Sequence, residues 1–350
     1  MINLAKRFKD MGQQVSFLTY YDDDFYVTTL KDANIEHTCL KTKHPLKRIW
    51  QIRKFIRSGN FQGIIAFLGA PGFLAEFASF PSKKWTLISG ERSANPLILT
   101  SKKKKIIAFF HIFADWVVSN SRSNLSMVQK VNPFLIKKKC RVIYNAIDLN
   151  LFSPANGFQF KNQKRLKIIV PASYRRLKNL LGLIEAVNLL NDSEKESLHI
   201  DWYGDKSFNF KSDFSLSEAE ERIKEYRLEA VFNLNGPTKE IHRKIQSADI
   251  VGLFSLHEGQ PNSVCEGMAC GKPILASGVS DLPLIIEDQI NGKLCNPKDI
   301  HSIASGIRFF LSLDPGQFEE MGSLNRQKAL ELFDQDKIAL AYLALLEHKQ

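Results

Sequence analysis

The stretch from residue 250 to residue 273, IVGLFSLHEGQPNSVCEGMACGKP, constrains the fold more than any other part of this sequence. Its first six residues, 250–255, are mostly apolar, and a loop containing Gly259 and Pro261 follows them. An apolar run that stops at Gly and Pro is typical of a buried strand that ends in a turn. The pattern therefore predicts a core strand of a parallel sheet, followed by a polar loop.

A short helix is predicted after this loop. Asn262 and Ser263 are residue types that cap helix N-termini. Gly271 favours the left-handed conformation at a helix end, and Pro273 cannot continue a helix. The loop thus connects the carboxyl end of a strand to a helix N-terminus. Open α/β sheets bind ligands at this place, where the free amides and the helix dipole attract an anion.

Two glutamates bracket the loop, Glu258 within it and Glu266 in the helix. On one continuous helix their side chains would point roughly 80° apart. A loop before the helix can instead bend Glu258 back over a bound ligand, so that both carboxylates face one pocket. The pair alone is weak evidence in a chain with 37 acidic residues, and its sequence context carries the specificity.

That context, EGQPNSVCEGMACGKP at 258–273, resembles the signature of the retaining glycosyltransferases of family 4. These are GT-B enzymes with a Glu-x7-Glu motif followed by a Gly-Lys-Pro turn. Residues 142–154 resemble a second family segment, VIxNGID with a following F-x-P, in which Ala146 replaces the Gly. The resemblance covers nearly all of the chain. It implies an α/β fold of the GT-B type, with two Rossmann-like, doubly wound parallel-sheet domains facing across a cleft.

The alternation of helical and strand patterns in both halves also predicts parallel sheets covered on both faces. We expect an acceptor-side domain at 1–150, a donor-binding domain at 151–330 and a C-terminal helix at 331–350 that packs back on the first domain. The sequence opens on a helical pattern. In the family that residues 3–6 resemble, a strand and a glycine-rich loop precede this helix. We therefore expect the sequence to be short at its N-terminus, and an extended chain to be more stable and more active.

Lys178 lies just after a predicted strand, where a helix opens. The helix dipole disfavours a lysine there unless an anion shares the site, so Lys178 is expected to bind a diphosphate. The alternative is a solvated lysine beside a helix cap at Asn179. In the family, an Arg and a Lys at this loop bind the donor phosphates. Lys178 matches that Lys, whereas Ser173 stands in place of the Arg, so Arg175 or Arg176 is expected to substitute for it.

The resemblance implies further donor contacts. Glu266 would accept hydrogen bonds from ribose hydroxyls, and Glu258 would bind sugar hydroxyls and offset positive charge at the anomeric carbon. Gly236 follows a predicted strand and resembles the family's loop near the nucleotide base, although a plain turn is an equal interpretation. The diphosphate would lie on the backbone of five loop residues: Gly259, Gln260, Pro261, Asn262 and Ser263.

On the acceptor side, Glu91, Arg92 and Ser121 follow strands of the first domain. A structural ion pair is an equally good interpretation of Glu91 and Arg92. A basic and aromatic stretch, 102–110, lies in the same half as Lys137–Lys139 and a basic helix at 45–58. These residues are expected to rest on an anionic membrane face, unless they form a core helix with solvated lysines.

Composition narrows the function classes. The net charge of +11 favours acidic partners. The sequence lacks zinc-finger spacing and an RNA-recognition signature, so nucleic acid is not an expected partner. Five scattered cysteines are typical of reduced thiols in a cytoplasmic protein. Together with the basic stretches, this predicts a cytoplasmic protein at the inner face of the membrane. The sequence contains no GxGxxG motif, so NAD binding is not expected. The resemblance implies no cofactor and no metal requirement.

The predicted reaction transfers a hexose, with retention, from a UDP- or GDP-linked nucleotide-sugar to a hydroxyl of a glycan or lipid-linked acceptor. The implied pathway is synthesis of cell-surface polysaccharide or lipopolysaccharide. Three alternatives stay open at this point. They are a GT-B epimerase or phosphorylase, a non-catalytic remnant that binds nucleotide-sugar, and a nucleic-acid binder.

Overall fold

The structure is a computed structural model that describes residues 1–21, 27–42, 44–92, 96–157, 160, 165–206, 213 and 215–347. The chain divides into two compact units. Unit 1 comprises Met1–Ala146 and Asp334–Gln350, and unit 2 comprises Ile147–Phe333. Each unit is built from parallel strands connected by helices.

The strands described in unit 1 are β1 (Ser16–Thr19), β2 (Glu36–Cys39), β3 (Gly63–Phe67), β4 (Thr86–Glu91), β5 (Trp116–Ser119) and β6 (Cys140–Val142). β1 and β2 pair with each other, and the other four form a second sheet in the order β3-β4-β5-β6. All these pairings are parallel. The connecting helices are α1 (Ile2–Asp10), α2 (Val27–Asp32), α3 (Pro45–Ser58), α4 (Gly69–Ser79), α5 (Lys102–Phe109) and α6 (Arg122–Val131).

Helices cover both faces of the four-stranded sheet, as the sequence predicts. Successive side chains of a strand point to opposite faces. Accordingly, Leu87 of β4 packs in one core cluster with residues of α3 and α4, whereas its neighbour Ile88 packs in another with residues of α1. Glu91, expected after a strand, is instead the last residue of β4, because the pairing of β4 with β3 and β5 continues to Gly90 and Glu91.

The strands of unit 2 are β7 (Leu166–Pro171), β8 (Leu198–Tyr203), β9 (Phe232–Asn235), β10 (Ile250–Leu253), β11 (Ile274–Ser277) and β12 (Gly292–Cys295). They form one parallel sheet in the order β12-β11-β10-β7-β8-β9. The helices are α7 (Leu180–Asn188), α8 (Asp192–Glu196), α9 (Leu216–Glu225), α10 (Ile241–Gln246), α11 (Asn262–Ala269), α12 (Leu282–Ile285), α13 (Ile300–Ser312) and α14 (Pro315–Leu332).

The strand order of unit 2 reverses between two neighbouring strands. From β7 the chain proceeds to β8 and β9 on one side, and it then returns to place β10, β11 and β12 on the other side. The crevice at such a reversal, outside the carboxyl ends of the strands, is where open α/β sheets bind ligands. The loops that follow β7 and β10 therefore lie at the ligand-binding edge.

The last helix, α15 (Gln335–Glu347), belongs to unit 1. Its apolar residues pack with Leu4 and Phe8 of α1. Two polar contacts hold it there: Arg7 Nε donates to Asp336 Oδ1 at 2.6 Å, and an Arg92 guanidinium nitrogen donates to the Tyr342 hydroxyl at 2.7 Å.

Candidate active site

The loops after β7 and β10 are joined directly. Ile250 lies opposite Ile168 in the sheet, so the two strands leave it side by side. Beyond the strand ends, the backbone N–H of Leu256 donates to the carbonyl oxygen of Leu177 at 2.9 Å. This bond fixes the loop that carries Lys178 against the loop that carries Glu258.

Lys178 and Glu258 form an ion pair across these loops. Lys178 Nζ lies 2.5 Å from Glu258 Oε1, and the side chains are only 22% and 13% exposed. Lys178 is therefore not the solvated lysine of the alternative interpretation. Asn179 does occupy the N-cap position of α7, but its side-chain amide donates to the Pro297 carbonyl oxygen at 2.7 Å and makes no capping hydrogen bond.

The two arginines of the β7 loop are paired with carboxylates. Arg175 Nε lies 2.6 Å from Asp213 Oδ2, and an Arg176 guanidinium nitrogen lies 2.8 Å from Glu218 Oε2 on α9. About half of each arginine side chain is exposed. Arg175, the predicted phosphate ligand, thus keeps an acidic partner with which a diphosphate would compete.

A pair of variants separates the two arginines. Arg175→Ala is expected to weaken UDP binding about tenfold, the effect of one charge-assisted hydrogen bond. Arg176→Ala, which removes the same charge from the adjacent position, should change the dissociation constant less than about threefold, as exposed ion pairs contribute little. Calorimetric titration with UDP measures both. Equal losses in the two variants would show a general charge effect and remove Arg175 from the site.

The helix N-terminus at this loop has no side-chain cap among the described residues. α11 begins at Asn262 with Pro261 as its N-cap residue, so the predicted cap by Asn262 or Ser263 is wrong. The reason is that Pro261 takes the extended cap position and has no side-chain acceptor. The first amides of a helix have no partner within the helix and bind anions readily.

Two hydrogen bonds hold the preceding loop in place. The Ser280 hydroxyl donates to the Gly259 carbonyl oxygen at 2.6 Å, and the buried Gln260 amide donates to Cys265 Sγ at 3.2 Å. Neither Ser280 nor Asp213, the partner of Arg175, was expected from the sequence. Both residues lie in chain segments far from the residues that they contact, so no local sequence pattern indicates them.

Glu266 differs from the other charged groups of the site. It lies half-buried on α11, and no side-chain hydrogen bond or ion pair among the described residues involves its carboxylate. Burial raises the pKa of Glu266 to about 7. Burial without a compensating partner disfavours the charged carboxylate, and such groups are characteristic of functional sites.

The Gly-Lys-Pro turn after α11 has a structural role. Gly271 adopts a φ of +68°, the left-handed conformation that the sequence predicts. A Cβ at Gly322 of α14 would collide with the Gly271 carbonyl oxygen, so the two backbones are in close contact. Lys272 is 2% exposed, with Nζ 5.0 Å from the centre of the Phe160 ring, and burial lowers its pKa to about 7. The turn thus docks α11 on α14.

Gly236 lies away from the two meeting loops. It follows β9, the edge strand, which is three strands from β10 and therefore roughly 14 Å from it at the usual spacing. A Cβ at Gly236 would meet no atom within 4 Å. The position is open, and its contact with a nucleotide base stays a prediction.

In unit 1, Glu91 belongs to a buried charged cluster. Glu91 Oε1 lies 3.3 Å from His111 Nε2, and His111 Nδ1 lies 2.6 Å from Glu76 Oε1. Burial alone would lower the pKa of His111, but Glu76 and then Glu91 raise it to about 10. His111 is thus a positively charged residue of the core. Glu91 has it as an ion-pair partner, which agrees with a structural role for Glu91.

Arg92 and Ser121 also have internal partners. Besides Tyr342, Arg92 donates to Asn145 and lies over the Phe67 ring, 4.4 Å from its centre. The Ser121 hydroxyl accepts from the Asn124 N–H and caps α6. These contacts give both residues a structural role, and their role towards an acceptor stays a prediction.

Within the described part of the chain, no group of three or more His, Cys, Asp and Glu side chains is placed to hold a metal ion. Among the same residues, no helix has the length and apolar character needed to cross a membrane.

Comparisons with known proteins show which family and which fold the chain resembles. Residues 155–328 match the family described as "Glycosyl transferases group 1". The chain is 25% identical over 308 residues to the N-acetylgalactosamine-N,N'-diacetylbacillosaminyl-diphospho-undecaprenol 4-alpha-N-acetylgalactosaminyltransferase of Campylobacter jejuni, covering 82% of this chain and 76% of that protein. It is 28% identical over 133 residues to the putative colanic acid biosynthesis glycosyltransferase WcaL of Salmonella typhimurium. That match spans 36% of this chain and a third of WcaL.

Among solved structures, the crystal structure of Anabaena HepE in complex with UDP superposes with a TM-score of 0.85. The superposition covers 99% of this chain and 94% of HepE at 19% identity, a likeness that shows the fold. Residues 155–328 are therefore similar to the glycosyl transferases group 1 family, and the parallel-sheet units of the chain have the GT-B fold.

Proposed function

We propose that the protein is a retaining glycosyltransferase of family 4. It would transfer a hexose from a UDP- or GDP-sugar to a hydroxyl of a glycan or lipid-linked acceptor, in the synthesis of cell-surface polysaccharide or lipopolysaccharide. The observation that supports this most is the combination of Lys178, Glu258, Glu266 and the uncapped N-terminus of α11 at one edge of the sheet. The UDP complex of HepE and the named activity of the Campylobacter relative support the donor and acceptor classes.

The donor diphosphate would bind at the N-terminus of α11. The amides there and the Lys178 ammonium supply positive charge, which stabilises the diphosphate as it departs. The backbone of residues 259–263 would line the phosphates, and the carboxylate of Glu266 would accept hydrogen bonds from the ribose hydroxyls. Arg175 would add a second cation once it leaves Asp213. These groups replace a metal ion, and we propose that none is required.

Glu258 would act at the sugar. In the structure its carboxylate holds the Lys178 ammonium. With donor bound, that ammonium would contact the diphosphate, and the carboxylate would bind sugar hydroxyls and offset the positive charge that develops at the anomeric carbon. In the transfer, the bond from that carbon to the phosphate oxygen breaks and a bond to the acceptor oxygen forms. The acceptor's proton passes to the departing phosphate, so no general base is assigned.

The acceptor is proposed to bind unit 1 near Glu91, Arg92 and Ser121.

A cytoplasmic location is proposed as well, since all five cysteines are free thiols. Burial raises the pKa of Cys265, Cys270 and Cys295 to about 12, so these three thiols are not reactive.

Proton NMR of the product tests the reaction. The protein would be incubated with a panel of UDP- and GDP-hexoses and with octyl glycosides as acceptors. We expect one donor to give a glycoside with the donor's own anomeric configuration. An inverted product would contradict retention. Donor binding without turnover would identify a non-catalytic remnant, and a changed sugar without acceptor would identify an epimerase.

A further inference from the structure

The net charge of the chain is concentrated in one segment of unit 1. Residues 92–146 contain eleven lysines and arginines and one acidic residue, Asp115, an excess of ten within a chain whose net charge is +11. That single carboxylate is occupied, because Asp115 Oδ2 lies 2.8 Å from Lys83 Nζ and accepts from the Leu87 N–H at 2.7 Å. The segment thus has no acidic group left to balance its own cations.

Large apolar side chains are exposed in the same segment. Phe134 is 70% exposed and Ile106 is 59% exposed. Four others are exposed as well: Leu97, Leu99, Phe109 and Ile136. Single exposed apolar residues are common, but a cluster of them rimmed by charge marks an interaction site.

These apolar side chains come from adjoining elements. The Phe109 and Phe134 rings meet edge to face, with centres 6.1 Å apart. The buried Asn132 side-chain amide donates to the carbonyl oxygens of Ala108 and Phe109, at 2.8 and 3.3 Å, and fixes the end of α5 to the segment before Phe134. The two stretches therefore form one continuous surface.

Seven lysines border this surface, Lys102–Lys105 in α5 and Lys137–Lys139 in a 3₁₀ turn. None of them takes part in the ion pairs found among the described residues. Lys102–Lys105 occupy the start of α5, where the helix dipole opposes positive charge. An arrangement that weakens its own helix points to an anionic partner.

We propose that this basic-apolar surface, formed by residues 96–109 and 134–139, docks unit 1 on an anionic lipid bilayer. Lysines of the rim would bind acidic headgroups, and Ile106, Phe109, Phe134 and Ile136 would enter the interface between headgroups and acyl chains. A nucleic acid also attracts lysine, but a single strand is bound by aromatic stacking, which isoleucine and leucine do not offer. The proposal does not depend on the sugar-transfer reaction.

The charge is tested first. Sedimentation of the full chain with phosphatidylcholine vesicles, with and without phosphatidylglycerol, measures binding without any sugar donor. Replacing Lys102–Lys105 with glutamine should lower the partition coefficient on phosphatidylglycerol vesicles at least about fiftyfold, since each lysine contributes roughly fivefold. The matched control replaces four exposed lysines elsewhere with glutamine, at Lys31, Lys224, Lys239 and Lys244, and should lose less than about threefold. Equal losses in both variants would overturn the proposal.

The apolar part has its own variant. Phe134→Ser with Ile136→Ser should lower vesicle binding at least about tenfold and leave the melting temperature and UDP affinity unchanged, because both side chains are exposed. Leu340→Ser, at an equally exposed position on α15, should have no effect on vesicle binding. Unchanged binding of the double variant would contradict insertion. If the lysine variant lost affinity for a single-stranded oligonucleotide and kept its vesicle binding, the surface would be a nucleic-acid site and the proposal would fail.

Discussion

Replacing Glu266 with glutamine is expected to stabilise the protein at pH 8 and, at the same time, to weaken its binding of UDP. The expected gain in stability follows from the raised pKa of Glu266. Folding raises the pKa of this carboxyl from 4.5 to about 7, so its stability contribution is full below pH 4.5 and is lost as the pH rises to 7. At pH 8 the buried carboxylate therefore costs up to about 3 kcal/mol, which a neutral amide of the same shape removes.

The binding of UDP should change in the opposite direction. An ionised Glu266 would accept two charge-assisted hydrogen bonds from the ribose, and the amide replaces only part of them. The expected loss is about 1.5–3 kcal/mol, a ten- to hundredfold higher dissociation constant at pH 8. Lowering the pH to 6 protonates Glu266 in the free protein, so the advantage of the parent over the variant should shrink by about tenfold.

Urea unfolding at pH 5 and pH 8, with calorimetric UDP titrations at pH 6 and pH 8, measures both effects. Glu319→Gln, at an exposed position on α14, is the matched control and should change neither quantity. A destabilised Glu266→Gln protein would show that the carboxylate supports the fold. Full UDP affinity in the variant would place Glu266 outside the donor site. Opposite changes in stability and binding are the sign of a group kept for function at a cost to the fold.

Glu258→Gln is expected to produce the largest loss of activity. Its carboxylate faces the charge that would develop on the sugar and also holds Lys178 in place. Removing a charged group aimed at a developing charge typically lowers kcat about 10²–10³-fold. UDP binding should change only a few-fold, since UDP lacks the sugar that Glu258 would contact.

A double variant tests whether Glu258 and Lys178 act as a unit. Residues that cooperate in one step are strongly non-additive. The double variant Lys178→Met with Glu258→Gln should therefore be about as active as the less active of the two single variants. Losses that multiply would show independent roles for the two residues. A Glu258→Gln enzyme with the parent's kcat would exclude the residue from the reaction.

Much of the fold is predictable from the sequence because its signals are local. The apolar run at 250–253, the polar loop and Gly271 with its positive φ each follow from neighbouring residues. β10 ends two residues before the predicted Ser255, because Phe254 and Ser255 leave the ladder while staying buried. Periodicity reports burial, and burial alone does not locate a strand end.

The site itself depends on contacts that no local pattern contains. Lys178 and Glu258 are 80 residues apart, and only the pairing of β7 with β10 brings them together. The raised pKa of Glu266 comes from the packing around α11, which periodicity does not show. The pairing of Arg175 with Asp213 likewise required the folded chain. The resemblance to the family motif indicated which residues form the site, and the structure shows which groups they contact.

Calorimetric titration of the parent and of Lys178→Ala with UDP and with uridine tests the central claim most directly. If the diphosphate binds Lys178 and the N-terminus of α11, the variant should lose at least about tenfold in affinity for UDP and stay within about twofold of the parent for uridine. Equal losses for the two ligands, or unchanged affinity for UDP, would show that the diphosphate does not bind at this loop.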